Sequence, residues 1–288
     1  MYGQKRYVLE MRASFFSYIY GKKAARLVST LRGLMLAALL CLGGAALGAQ
    51  DFSRAESREI LERVDRLVTY PQSDFSAEYT VVESRPGEGN SRTKMTMFRR
   101  DRKDTYTIII MEPAGDRGKG YLRVGDKLWL YDPVPRRFTV ISSKDRFQNT
   151  SLRNSDFTRS SLAEDFRIVA RRQEELGSYL TDVYDLEAVS DKVSFPKKRI
   201  WIDQNHLVRK MEDYSLSGRH MRTTAIPDYK ELGDFYVPTR IVIQDELRGR
   251  RVDGAVQHQR TFVSVAKASF QSLPDQVFTR AYIERVGD

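Results

Sequence analysis

Between residues 52 and 70 the apolar side chains Ile60, Leu61, Val64, Leu67 and Val68 recur three and four positions apart, which gathers them on one face of a helix. Ser53 or Asp51 supplies an acceptor for the first turn, and Pro71 ends the pattern. From Phe75 onward the period changes. Short runs rich in Val, Ile, Tyr, Phe and Thr alternate with polar positions and are separated by turn residues. They predict about a dozen strands, over 75–82, 93–99, 106–111, 120–124, 128–131, 138–141, 166–174, 179–187, 197–203, 206–215, 219–229, 235–245 and 255–269. Residues 142–165 are irregular, with a short helix expected near 161–165. A sheet of that size cannot leave its apolar face in water, so it must curl or be covered. The pattern therefore predicts a mainly β (α+β) fold, a strongly curved antiparallel sheet with helices on one face; a closed barrel is the competing solution.

The early strands carry much apolar surface at alternate positions: Met95 and Met97, Ile108 and Ile110, Leu122 and Val124, Trp129 and Tyr131, Phe138 and Val140. If Gly125 and Asp126 form a two-residue hairpin turn, Leu122 opposes Trp129, and Leu122, Val124, Trp129 and Tyr131 share a face. Methionine adapts to irregular neighbours and suits a pocket for flexible chains. Pattern alone does not separate a filled core from a lined cavity. The residues expected to line a cavity, should one exist, are Met95, Met97, Leu122, Val124, Trp129, Tyr131, Phe138 and Val140.

Charge changes the reading of the N-terminal segment. The 288 residues hold 48 Lys and Arg against 38 Asp and Glu, a formal balance of +10. Residues 1–49 contain seven basic residues against Glu10 alone, so residues 50–288 are only mildly basic. After Arg32 comes an uncharged stretch, residues 33–49, whose apolar centre is Leu34 to Leu42. A basic flank, a short apolar run and small residues before a polar chain describe a secretory signal peptide, with cleavage after Gly48 or Ala49. An inner-membrane anchor through residues 33–49 and lipidation at Cys41 are the alternatives, and the long aromatic-bearing leader fits a translation start downstream of Met1. The expected organisation is a leader over 1–49 and a single exported domain over 50–288.

Candidate chemistry is sparse. One cysteine allows no intramolecular disulfide, and with three histidines no imidazole-rich metal centre is expected. His206, His220 and His258 sit in strand-like contexts without a nucleophile motif, and no Gly-x-Ser-x-Gly elbow occurs. The run from Gly115 to Gly120 leads into a strand rather than a helix, so it is not a phosphate loop, although Arg117 and Lys119 stand free to meet an anionic partner. Arg99, Arg100, Arg102 and Lys103 read as a solvated hairpin end, since stacking aromatics are not interleaved with them. No enzyme activity, metal or cofactor, and no nucleic-acid partner, is expected.

The wording of the chain adds a resemblance. Residues 111–133 (MEPAGDRGKGYLRVGDKLWLYDP), 136–142, 154–157 and 200–203 resemble the outer-membrane lipoprotein-sorting (LolA-like) family, as do 207–210, 214–218, 228–230, 234–242 and 273–278. Asn154 departs from the pattern, which usually has Gly before Ser-Asp-Phe. The resemblance implies an unclosed half-barrel whose concave face is covered by helices and encloses a cavity for acyl chains. It further implies a monomeric periplasmic carrier that moves lipoprotein or lipid acyl chains toward the outer membrane. Its partners would be inner- and outer-membrane transport components and the membrane surface. Arg117, Lys119, Asp156 and Phe157 are the loop positions expected to contact cargo or partner. A lipid-sensing regulator or adaptor on the same fold is the alternative, because fold does not fix function.

Overall fold

A computed structural model describes residues 52–252 and 254–287. The expected leader over 1–49, with its apolar run and Cys41, lies outside the described residues. Helix α1 (Arg54–Val68) begins as the sequence predicts: Ser53 Oγ accepts from Glu56 N at 3.1 Å, and Ser53 N donates to the Glu56 carboxylate at 3.0 Å.

The strands are β1 (Phe75–Arg85), β2 (Gly89–Arg100), β3 (Thr105–Glu112), β4 (Gly120–Val124), β5 (Lys127–Asp132), β6 (Arg137–Ile141), β7 (Phe166–Leu176), β8 (Tyr179–Ala188), β9 (Lys197–Ile202), β10 (Val208–Tyr214), β11 (His220–Leu232), β12 (Phe235–Val252) and β13 (Ala255–Ser269). They form one antiparallel sheet of order β6-β5-β4-β3-β2-β1-β13-β12-β11-β10-β9-β8-β7. The chain enters at the middle of the sheet and runs out to the β6 edge. Residues 142–165, including the one-turn helix α2 (Leu162–Asp165), then carry it across to the β7 edge. It returns strand by strand until β13 pairs with β1. The two edges are not joined, so the sheet is an unclosed half-barrel and the closed barrel does not form.

Register assigns the faces. Tyr184, Ile200, Met211, Thr224, Ile243, Thr261 and Glu83 stand opposite one another across seven successive strands and so share the inner, concave face. Two covers lie on that face. Leu61 and Val64 of α1 pack on Phe166, Ile168, Tyr184, Leu186, Ile200 and Ile202. The crossing segment lays Phe147, Leu152 and Phe157 on Met95, Met97, Ile108, Ile110 and Tyr121. Asp65 of α1 joins the covers by accepting from the backbone of Leu162 and Ala163 at 3.1 and 2.9 Å.

A third helix, α3 (Arg280–Gly287), was not legible in the pattern and packs on the outer face. Its Ile283 is fully buried against Ile109, Leu122 and Tyr131. The contact requires a glycine beneath it, because a Cβ on Gly120 would stand 2.3 Å from Ile283 Cγ2. Gly120→Ala is expected to cost about 1–3 kcal/mol by overpacking, read from urea unfolding. Adding Ile283→Ala should then cost less than it does alone, and strictly additive losses would rule out this contact as the cause.

One expectation is overturned. Arg99 and Arg100 are not a solvated hairpin end. Arg100 is 3% exposed and forks onto fully buried Asp74 at 2.9 and 2.8 Å, and it also binds Asp275 and the Leu273 carbonyl. Arg99 pairs with Asp101 at 2.7 Å and lies over the Tyr70 ring. A charge run looks solvated in sequence when its counter-charges lie far away along the chain, as Asp275 does.

Candidate functional site

The inner face carries the largest apolar surface in the fold. Met95 and Met97 of β2, Tyr106, Ile108 and Ile110 of β3, Tyr121 of β4, Leu128 of β5, and Val263 of β13 are all buried there. What buries them is largely the crossing segment. The Phe147 ring lies tilted 4.8 Å from Tyr121 and edge to face 4.7 Å from Phe157, and Phe157 meets Tyr106 and Tyr79 edge to face. The face is thus filled by the protein's own aromatics.

Much of the segment's backbone hydrogen bonding is internal, although Ser151 N donates to Thr261 and Asn154 O accepts from Tyr106. Phe147 N donates to Leu152 O, Asn154 N to Asp145 O, and Arg146 and Arg153 form an isolated bridge. It is a compact loop of the Ω type, held to the sheet through side chains. Asn154, the departure from the resemblance, has no left-handed backbone, and its side-chain amide donates to Ser142 O at 2.9 Å.

The fastenings form a charged row at one rim of the inner face. Lys198, Asp213, Arg222 and Asp245 oppose one another across β9 to β12. Arg146 of the loop pairs with Asp245, and Arg222 forks onto Asp156 of the loop at 2.7 and 3.1 Å while its Nε holds Asp213 at 2.7 Å. Beside them Ser151 N donates to Thr261 Oγ1 at 2.9 Å, and Thr261 donates to Glu83. Burial works against ionisation of Asp213, but Lys198 and Arg222 outweigh it and hold the carboxyl below its usual range. Glu83 has hydroxyl, amide and backbone donors but no cation in contact, and burial pushes its carboxyl up.

The eight residues expected to line one cavity fall on two faces. Met95 and Met97 are on the inner face beneath the loop. Leu122, Trp129, Tyr131 and Phe138 are on the outer face, where α3 covers them and Arg280 lies over Trp129 and Phe138. Val124 and Val140 are exposed at 46% and 70%. The predicted register from the Gly125-Asp126 turn is correct, with Leu122 opposite Trp129, but that face points away from the crossing segment. Inner positions outside that set are Ile108, Ile110, Tyr121, Leu128 and Leu130. Ile108 and Ile110 were legible as alternating apolar positions, whereas Tyr121, Leu128 and Leu130 were masked because β4 and β5 are covered on both sides and their apolar residues do not alternate cleanly.

The loop positions also divide. Phe157 is buried in the inner-face cluster and Asp156 is fastened to Arg222. Lys119 is not free, being paired with Asp116 at 2.6 Å, and Arg117 is exposed on a turn whose Gly118 abuts Gly287 of α3. Among the described residues no group of His, Cys, Asp or Glu could hold a metal ion, and no helix is long and apolar enough to cross a membrane.

A half-barrel with a covered inner face defines a recognisable class, and comparison with known proteins agrees. A family model described as an uncharacterized protein matches residues 102–285, and the chain belongs to that family. Its fold is shared with several solved proteins. A LolA superfamily protein from Nitrosomonas europaea is similar at 23% identity and TM-score 0.65, over 78% of this chain and 98% of that one. A domain from Vibrio parahaemolyticus described as an outer membrane lipoprotein-sorting protein is similar at 18% identity and TM-score 0.70, over 81% and 100%. A DUF1329 family protein from Desulfovibrio piger is similar at 16% identity and TM-score 0.67, over 80% and 98%. No curated protein matches the sequence.

Proposed function

We propose that the protein is a periplasmic carrier that binds acyl chains of lipoproteins or lipids on the inner face of its half-barrel and moves them toward the outer membrane, without covalent chemistry. The observation that carries this reading is the way the face is covered. Phe147, Leu152 and Phe157 occupy it from a loop that keeps its own backbone hydrogen bonds and is fastened by side chains. Such a loop leaves as a unit without unpairing a strand.

Magnitudes favour exchange. Burial of three such side chains stabilises the filled state by roughly 5–9 kcal/mol, at about 1.5–3 kcal/mol each. An acyl chain of about sixteen carbons offers roughly 12 kcal/mol at about 0.8 kcal/mol per methylene. The cargo therefore outcompetes the loop, yet the loop returns part of the cost when cargo leaves, which a carrier needs for release.

Native mass spectrometry of the protein purified from an envelope fraction, with uptake of a fluorescent fatty acid, tests the proposal. Lipid adducts and saturable uptake are expected. Neither adduct nor uptake would overturn the carrier reading.

A further inference from the structure

The β12–β13 hairpin leaves the body of the sheet. Pairing of β11 with β12 ends at Arg222 and Asp245, and pairing of β1 with β13 ends at Ser84 and Arg260, whereas β12 and β13 stay paired out to Val252 and Ala255. The projecting part carries Arg248, Arg250 and Arg251, all exposed, and beside them Leu247 and Val256, exposed at 39% and 57%. The β1–β2 turn lies alongside, since the Arg250 guanidinium rests against Gly87, and β2 adds exposed Arg92. Among the described residues Arg248, Arg250 and Arg251 form no ion pair, and Arg92 acts on Glu112 only through space. Glu88 is the acid of the β1–β2 turn.

The base of the hairpin continues the same character. A shallow, solvent-open hollow there is lined by Arg146, Arg153, Arg222 and Asp245, with Leu247 at its side. Arg153 lies over the Phe195 ring at 4.7 Å, and burial together with Arg222 and Arg146 presses it toward its neutral form. The acids of this end, Asp156, Asp213 and Asp245, are taken up by Arg146 and Arg222, which leaves the exposed arginines in excess.

We propose that the hairpin docks the protein on an anionic phospholipid bilayer, with Arg248, Arg250 and Arg251 on headgroup phosphates and Leu247 and Val256 at the apolar boundary. A bilayer fits better than other anionic partners. Residues 246–260 contain no Phe, Tyr or Trp, so they offer neither the stacking platform of a nucleic-acid surface nor the aromatic anchors of a protein interface. Guanidinium groups flanked by single aliphatic side chains on a narrow projection match a headgroup layer. Docking also turns the fastened rim toward the bilayer, because Asp245 both accepts from the backbone of Leu247 and Arg248 and holds Arg146 of the loop. The surface is independent of the carrier reading, since it requires no cargo cavity.

Cosedimentation with phosphatidylcholine vesicles, with and without phosphatidylglycerol, tests this. Binding is expected only with phosphatidylglycerol and should weaken as ionic strength rises. The triple variant Arg248→Gln, Arg250→Gln, Arg251→Gln should lose partitioning on the order of a hundredfold, while urea unfolding and fatty-acid uptake match the parent. Equal binding to neutral vesicles, or an unchanged triple variant, would overturn the proposal without touching the carrier reading.

Discussion

Replacing Arg100 by alanine is expected to lower stability by about 3–5 kcal/mol, because it strands a buried carboxylate without its cation. Asp74 is fully buried and receives both arms of the Arg100 fork, a contact from Arg102, and the Leu273 backbone N–H at 2.8 Å. Arg100 in turn reaches the Leu273 carbonyl and lies over Phe278 at 4.5 Å. The pair therefore anchors the segment leading to α3 as well as the β2–β3 turn.

The same pair sets a pH dependence. Hydrogen bonding from Arg100 is the main reason that the Asp74 carboxyl is pulled down to about 2, against an ordinary value of 3.8. A depressed folded-state value stabilises the protein above the unfolded-state value, and that contribution is lost as pH falls from about 4 toward about 2. Urea unfolding of the parent and of Asp74→Asn at a series of pH values reads it directly. The stability gap between them should be constant near neutrality and shrink below pH about 4. A gap that does not depend on pH would show that Asp74 acts only through packing.

The second large effect concerns the loop. With Phe147 and Phe157 both changed to alanine, the protein should bind a fluorescent fatty acid on the order of a hundredfold more tightly or better. On the carrier proposal the two rings leave the inner face when cargo enters, so their removal raises the energy of the empty state and leaves the loaded state nearly unchanged. Phenylalanine-to-alanine changes in cores cost about 3–5 kcal/mol each, and loop relaxation recovers part of that. Urea unfolding without lipid should accordingly show a loss of stability that saturating fatty acid restores. Unchanged affinity in a folded double variant would mean that acyl chains do not compete with the loop for Met95, Met97, Ile108 and Ile110.

Most elements were legible because each rests on a local rule. Ser53, Glu56 and the apolar spacing specify α1, and Gly125 and Asp126 specify the β4–β5 register down to Leu122 opposite Trp129. Strands β4 and β13 have the predicted limits, and β12 runs seven residues past its predicted end. That extension is polar and exposed, so hydrophobic alternation does not report it. Helix α3 was missed for a related reason: in eight residues it buries one large side chain, Ile283, and its partners on β3 to β5 are far away in the chain.

The sequence by itself determined the strands, the first helix and the absence of a recognisable catalytic motif, since each follows from period, turn chemistry and residue type over a few neighbours. Which face is inner was decided only by tertiary structure. Alternation separates two faces but does not say which one the crossing segment covers, and β3 to β5 are apolar on both. Pairing of β13 with β1 and passage of residues 142–165 from one edge to the other put Met95 and Met97 inside and left Leu122, Trp129, Tyr131 and Phe138 to α3. The same long-range closure turned Arg100, Asp156 and Arg222 from surface charges in a list of residues into the fastenings of the fold.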